Sequence, residues 1–228
     1  MTRASQIKSY IRSSFPRTVA AYQQVRRSWT APSLETVFTE IYHNNTWDDW
    51  ESVSGRGSTL ARAAVIMRNL PPLLRELQVK TLLDAACGDF NWMKHTALGD
   101  IKYTGVDIVP QLIKRNRRLY ANAQRTFVTR DVSKHRLPRA DLILCRDCLI
   151  HLSFALIKPT ISNFKKSGAK YLLCTTHPTV AANDDCHDGD WRSINLEIAP
   201  FNFPKPSQLI VEDEEAGKCL GLWRLDGL

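Results

Sequence analysis

Leu82-Leu83-Asp84-Ala85-Ala86-Cys87-Gly88-Asp89-Phe90, with Gly105-Val106-Asp107 arriving 23 positions after Asp84, decides the fold of this chain. The apolar run from Thr81 to Ala85 reads as a buried strand, broken by a tight turn at Cys87-Gly88 and followed by a helix over 90–98. A second strand, Lys102 to Val106, ends on the carboxylate of Asp107. In an open parallel sheet this arrangement holds a nucleoside: glycine lets backbone approach the ligand, and the second carboxylate takes ribose hydroxyls. The plain alternative is a strand, turn and helix without a ligand.

A dinucleotide fingerprint needs three spaced glycines, so that a pyrophosphate can sit on a helix N-terminus. Here Gly88 stands alone, with Ala86 and Phe90 at the flanking glycine positions. Asp84 and Asp89 suit a cation-bearing ligand and repel a pyrophosphate. Thr126 to Asp131 reads as a third strand ending in an acid, and Ala140 to Cys145 as a fourth. A fifth is expected over 169–176, with helices near 110–121 and 154–166 between the strands. Such alternation implies a doubly wound α/β fold with helices on both faces of a mostly parallel sheet. Leu209 to Glu212 and Cys219 to Leu225, joined at Glu214-Glu215-Ala216-Gly217, add a C-terminal antiparallel hairpin and bring the sheet to seven strands.

On these motifs, residues 80–228 resemble the class I, Rossmann-like methyltransferases that bind S-adenosylmethionine (SAM). The usual pattern of an acid followed by three spaced glycines is kept here at Asp84 and Gly88. The resemblance implies SAM as cofactor, surrounded by Asp84, Ala85, Cys87, Gly88, Asp107, Ile108, Asp131, Val132 and Arg146. Asp131 would meet the adenine amino group. The segments at 47–58, 87–93, 145–154, 188–196 and 200–206 (WDDWESVSGRGS, CGDFNWM, CRDCLIHLSF, DGDWRSINL, PFNFPKP) together resemble a small bacterial-type subfamily of these enzymes.

The acceptor is expected beyond the C-terminal ends of the fourth and fifth strands. Methyl transfer from an activated donor leaves the protein to position a nucleophile and remove its proton. His151 and His177 are the candidate bases, because histidine titrates near neutrality. Asp147 is a candidate orienting group or base. The acidic run Asn183 to Asp190 matches no cation cage, so no metal is assigned. It reads instead as a lid, with Trp191 shielding substrate and Arg192 holding an anionic group. The loop Trp47 to Ser58 is expected to cover the cofactor or line the acceptor site.

With 228 residues and 43% hydrophobic content, the chain can bury a sizeable core. The expected division is a basic helical extension with its glycine/serine loop over 1–58 and a SAM-binding domain over 59–228. In the extension, helices flank Pro16, with Ile7, Ile11 and Phe15 on one stripe; a further helix starts after Ser33. Leu60 to Leu77 is expected to be helical and interrupted at Pro71-Pro72. Six scattered cysteines, Cys145 and Cys148 among them, fit buried packing in a reducing, cytoplasmic compartment.

The net charge of +8 is uneven: residues 1–34 carry +6, residues 112–139 carry +8, and the remainder sums to −6. The basic leader suggests either a solvated tail or peripheral contact with an anionic surface at the inner membrane. The second block reads as a solvated helix face. The reading that emerges is a SAM-dependent methyltransferase acting on a hydroxyl or amine of a small molecule or glycan. The alternatives are an RNA methyltransferase, an aminopropyl transferase and a non-catalytic SAM-fold protein that binds a partner.

Overall fold

A computed structural model describes residues 32–228. The expected helices around Pro16 and the basic leader lie outside the described residues. Leu34–Leu228 forms one compact unit. Its elements are α1 (Leu34–Asn44), α2 (Leu60–Glu76), β1 (Thr81–Ala85), β2 (Lys102–Asp107), α3 (Pro110–Tyr120), β3 (Arg125–Thr129), β4 (Leu142–Cys145), α4 (Phe154–Lys166), β5 (Tyr171–Thr176), β6 (Gln208–Asp213) and β7 (Lys218–Arg224). Among the described residues no helix is long and apolar enough to cross a membrane.

The strand order is β3-β2-β1-β4-β5-β7-β6. β3, β2, β1, β4 and β5 run parallel, while β7 pairs antiparallel with both β5 and β6. Chain order reverses between β1 and β4, which opens a crevice at their C-terminal ends.

Alternation along the strands builds two cores. Leu83, Ile143, Leu172 and Trp223 face one side, under Ile157, Ile161 and Phe164 of α4. Leu82, Leu142, Leu144, Leu173 and Leu222 face the other, under Ile66, Leu70, Leu73 and Leu74 of α2. Each buried aliphatic side chain contributes about 1.5–3 kcal/mol. That explains why α2 runs unbroken through Pro71-Pro72, contrary to expectation. The prolines cost about 3 kcal/mol or more in a helix interior, and the packed face of Leu70, Leu73 and Leu74 offsets it.

The helix expected over 90–98 does not form; only a single 3-10 turn, Met93–His95, is present. Phe90 adopts φ 61°, and the Asn91 amide donates to the Asp89 carboxylate at 3.1 Å, so the chain leaves helical geometry at its first step. Segment 34–58 belongs to the same compact unit as the sheet. Phe38 packs edge-on against Trp47, and Trp47 stacks on His151.

Candidate active site: a cleft and a neighbouring groove

Burial makes the C-terminal ends of β1, β2 and β3 chemically unusual. Asp84, Asp107 and Asp131 are all buried there and line one cleft of about 1010 Å³, open to solvent. Burial is the largest influence on Asp84 and pushes its carboxyl up to about 7, against a 2.7 Å hydrogen bond from the Tyr103 hydroxyl and the charge of Arg146. Burial likewise raises Asp107 to about 6, although the Val109 and Gly88 amides donate to its two oxygens at 3.0 and 3.1 Å. Asp131 accepts from the amide and hydroxyl of Ser133 at 2.9 and 2.6 Å.

The turn after β1 shows how the missing glycines are replaced. Gly88 has φ 52°, and a Cβ there would lie 2.3 Å from Ser54 Oγ. Its amide binds Asp107, and its carbonyl accepts from Asn116 Nδ2 at 2.8 Å. Phe90, in place of a glycine, takes the left-handed conformation and buries its ring against Tyr103, Tyr120 and Phe127. Asp89 is not available to a cationic ligand. Its carboxylate binds Ser52 Oγ at 2.9 Å and the Val53 amide at 3.1 Å, stitching the 47–58 loop to the turn. Ser54 Oγ accepts from the Asp89 amide at 2.8 Å. Val53, Ser54 and Ser58 consequently line the cleft, roofed by Phe38, Tyr42 and Trp47. Trp50, in the same loop, is 94% exposed.

Ala86, Cys87, Ile108, Val132 and Arg146 also line the cleft; Ala85 lies at the end of β1, in the core behind it. Arg146 is an ion-pair residue as much as a lining one. It binds Glu212 at 2.9 Å and the Gly57 carbonyl at 2.9 Å, lies 3.4 Å from Asp147, and sits over the Trp92 ring. Lys218 completes the tetrad, 2.6 Å from Asp147 and 3.3 Å from Glu212. Desolvation of the half-buried Asp147 opposes ionisation, yet Arg146 and Lys218 hold its carboxyl down at about 2. Of the two roles expected for Asp147, orienting group or base, the pairing with two cations favours the orienting one.

His151 lines the cleft beside Asp147. Its Nδ1 is 2.8 Å from the Asp190 carbonyl, an acceptor only, so Nδ1 carries the hydrogen and Nε2 the lone pair. Burial lowers its pKa, with the Asp190 carbonyl and the Asp147 charge opposing. A neutral imidazole with an unprotonated Nε2 is what proton abstraction needs. His177, whose pKa burial also lowers, differs in tautomer and in place. Its Nδ1 accepts from the Ile194 amide at 3.3 Å, so in the neutral ring Nε2 carries the hydrogen and donates. It lines a second groove of about 1010 Å³ with Arg56, Gly57, Arg62, Trp191 and Lys218. Asp147 lines both cavities.

The 183–190 segment closes on the protein itself. Asp188 and Asp185 accept from the Ser153 and Phe154 amides at 2.7 and 2.8 Å, capping the N-terminus of α4. Arg192, expected to hold an anion, donates to the Leu149 and Leu152 carbonyls at 2.8 and 2.5 Å. Tyr103, Asn116, Glu212 and Lys218 were not singled out in the sequence. Only Glu212 and Lys218, charges flanking a hairpin otherwise rich in apolar residues, left a signal.

A seven-stranded sheet of this order, with acids at three adjacent strand ends, defines a Rossmann-like fold of the class I methyltransferase kind. Residues 82–167 match the family model described as a methyltransferase domain. The matched segment runs from β1 to just past α4. Human N-acetylserotonin methyltransferase in complex with SAM is similar at 15% identity and a TM-score of 0.58, over 94% of this chain and 68% of that one. Magnesium protoporphyrin IX methyltransferase from Synechocystis PCC 6803, with bound SAM, is similar at 15% identity and a TM-score of 0.56, over 85% and 98%. The N-methyltransferase NodS from Bradyrhizobium japonicum WM9 gives 15% identity and a TM-score of 0.55, over 81% and 97%. No curated protein sequence matches the chain significantly.

Proposed function

We propose that this protein transfers a methyl group from SAM to a hydroxyl or amine of a small molecule. The observation that carries the reading is the joint placement of Asp84, Asp107, Asp131 and His151 around one cleft. The residues fit the cofactor. Asp107 presents two oxygens to ribose hydroxyls, and Gly88 clears the space a Cβ would fill. Burial penalises the charged forms of Asp84 and Asp107, and a cationic ligand beside them would offset that penalty. When bound, SAM supplies a methyl group activated by its sulfonium.

The chain's own residues supply the rest. His151 Nε2 accepts the proton of the attacking hydroxyl or amine, while Nδ1 is held by the Asp190 carbonyl. Asp147, ionised nearby, stabilises the imidazolium that forms. Trp47 holds the imidazole plane, with ring centroids 4.8 Å apart. Phe38, Tyr42 and Trp47 give this side of the cleft an apolar wall. Release of S-adenosylhomocysteine (SAH) from SAM in the presence of candidate acceptors tests the reading. Turnover should fall in His151→Gln with SAH affinity preserved. Unchanged turnover in that variant would remove His151 from the mechanism.

A further inference from the structure

We propose that the groove beside Asp147 holds the end of the acceptor remote from the reacting atom, which reaches past Asp147 to His151 in the cleft, and that the groove selects a small acceptor carrying one negative charge next to a flat ring, held between Arg56 and Trp191. This rests on the methyl-transfer reading above and deepens it.

The charge balance of the groove decides the sign. Its carboxylates are Asp147, Glu212 and Asp213. Each already has a cation: Lys218 and Arg146 serve Asp147 and Glu212, and Arg62 binds Asp213 at 2.6 Å. Glu212 Oε2 makes no hydrogen bond, but it is buried against the Lys218 ammonium. A cationic acceptor would therefore have to displace a pair that is already made. Arg56 is exposed on the groove wall, and no carboxylate pairs with it among the described residues. Arg56 is thus the groove cation left without a carboxylate partner among the described residues, and a guanidinium binds a carboxylate through two parallel hydrogen bonds.

Two further groups point the same way. His177 sits at the groove with Nδ1 engaged by the Ile194 amide, which leaves Nε2–H as a donor. Trp191 lines the groove with 62% of its surface exposed, an indole face open to a planar ring. Ala61, Val65 and Ile150 add apolar lining to the groove. Proximity to the cleft is set by Gly57, where a Cβ would lie 2.9 Å from Asp147 Oδ2. Only a residue without a side chain lets the loop approach the shared carboxylate so closely.

The test is binding of three para-substituted phenols, one anionic, one neutral and one cationic, to the full chain saturated with SAH, followed by ligand-observed NMR titration: 4-hydroxybenzoate, 4-hydroxybenzamide and tyramine. The carboxylate should bind at least about tenfold more tightly than the amide or the amine, the order of one charge-assisted pair. Arg56→Ala should remove that preference, and Arg56→Lys should restore part of it. Trp191→Ala should weaken the carboxylate and the amide alike. Binding of all three probes equally, preference for tyramine, no binding of the carboxylate, or an unchanged preference in Arg56→Ala would each overturn the proposal. SAH titration of the same samples separates this from failure of the cofactor reading: lost SAH binding counts against the cleft, lost selectivity against the groove.

Discussion

Replacing Arg146 by Met should be the most destabilising single change near the site. The side chain is 3% exposed and faces Glu212, 1% exposed, at 2.9 Å and Asp147 at 3.4 Å. Removing it leaves two carboxylates, one buried and one half-buried, with Lys218 alone and strips the Gly57 carbonyl of its donor. Breaking a buried ion pair from one side costs about 3–5 kcal/mol. Against a total stability of about 5–15 kcal/mol that is a large share. For a domain of this size it lowers the melting temperature by roughly 6 to 20 °C. The cost arises from stranded charge, so removing a carboxylate as well should return part of it. Arg146→Met with Glu212→Leu leaves Lys218 and Asp147 as a neutral pair, and should be more stable than Arg146→Met alone by about 1 kcal/mol or more. Urea unfolding of the four members of this cycle gives the coupling directly. A double variant no more stable than Arg146→Met would refute the charge argument and assign the loss to packing.

Gly88→Ala should cost more than about 1 kcal/mol and weaken SAH binding, because a Cβ would meet Ser54 Oγ at a left-handed φ; calorimetry on the folded variant checks the second part. His151→Gln should lower kcat by about 10²–10⁴ and leave SAH affinity within about threefold, an order-of-magnitude margin for a residue that does not hold the cofactor. Asp84 keeps its proton in the folded chain up to about 7 and in the unfolded chain only near 3.8. Folding therefore takes up a proton between those values, and the Asp84 contribution to stability falls as pH rises from about 4 to 7. His151 and His177, with lowered pKa values, act in the opposite sense. The difference in unfolding free energy between wild type and Asp84→Asn, followed across that window, isolates the acid; no change in that difference with pH would contradict it.

The fold was legible because its signals are local. Strands at Thr81–Ala85 and Lys102–Asp107 follow from apolar runs ended by turn chemistry, and the hairpin follows from Glu214 to Gly217. The helix expected after Gly88 fails for a reason no periodicity discloses: Asp89 and Phe90 divert the backbone into an aromatic cluster made by distant residues. The cleft was legible at its three acids for the same local reason. Its partners were not. Tyr103 points at Asp84 only because β1 and β2 pair in one register. Asp147 reads equally as an orienting group or a base until Lys218, 71 residues away, is placed as its ion-pair partner. The polar run after β5 looked like a lid, yet it caps a helix whose N-terminal amides needed acceptors.

The central claim is that the acids at the ends of β1, β2 and β3 hold SAM, and calorimetric titration of wild type and Asp107→Ala with SAM and SAH tests it most directly. The account predicts micromolar binding of both ligands by wild type, on the order of −8 kcal/mol, and loss of both in Asp107→Ala with the chain still folded by circular dichroism. No binding by wild type, or unchanged binding in Asp107→Ala, would contradict it.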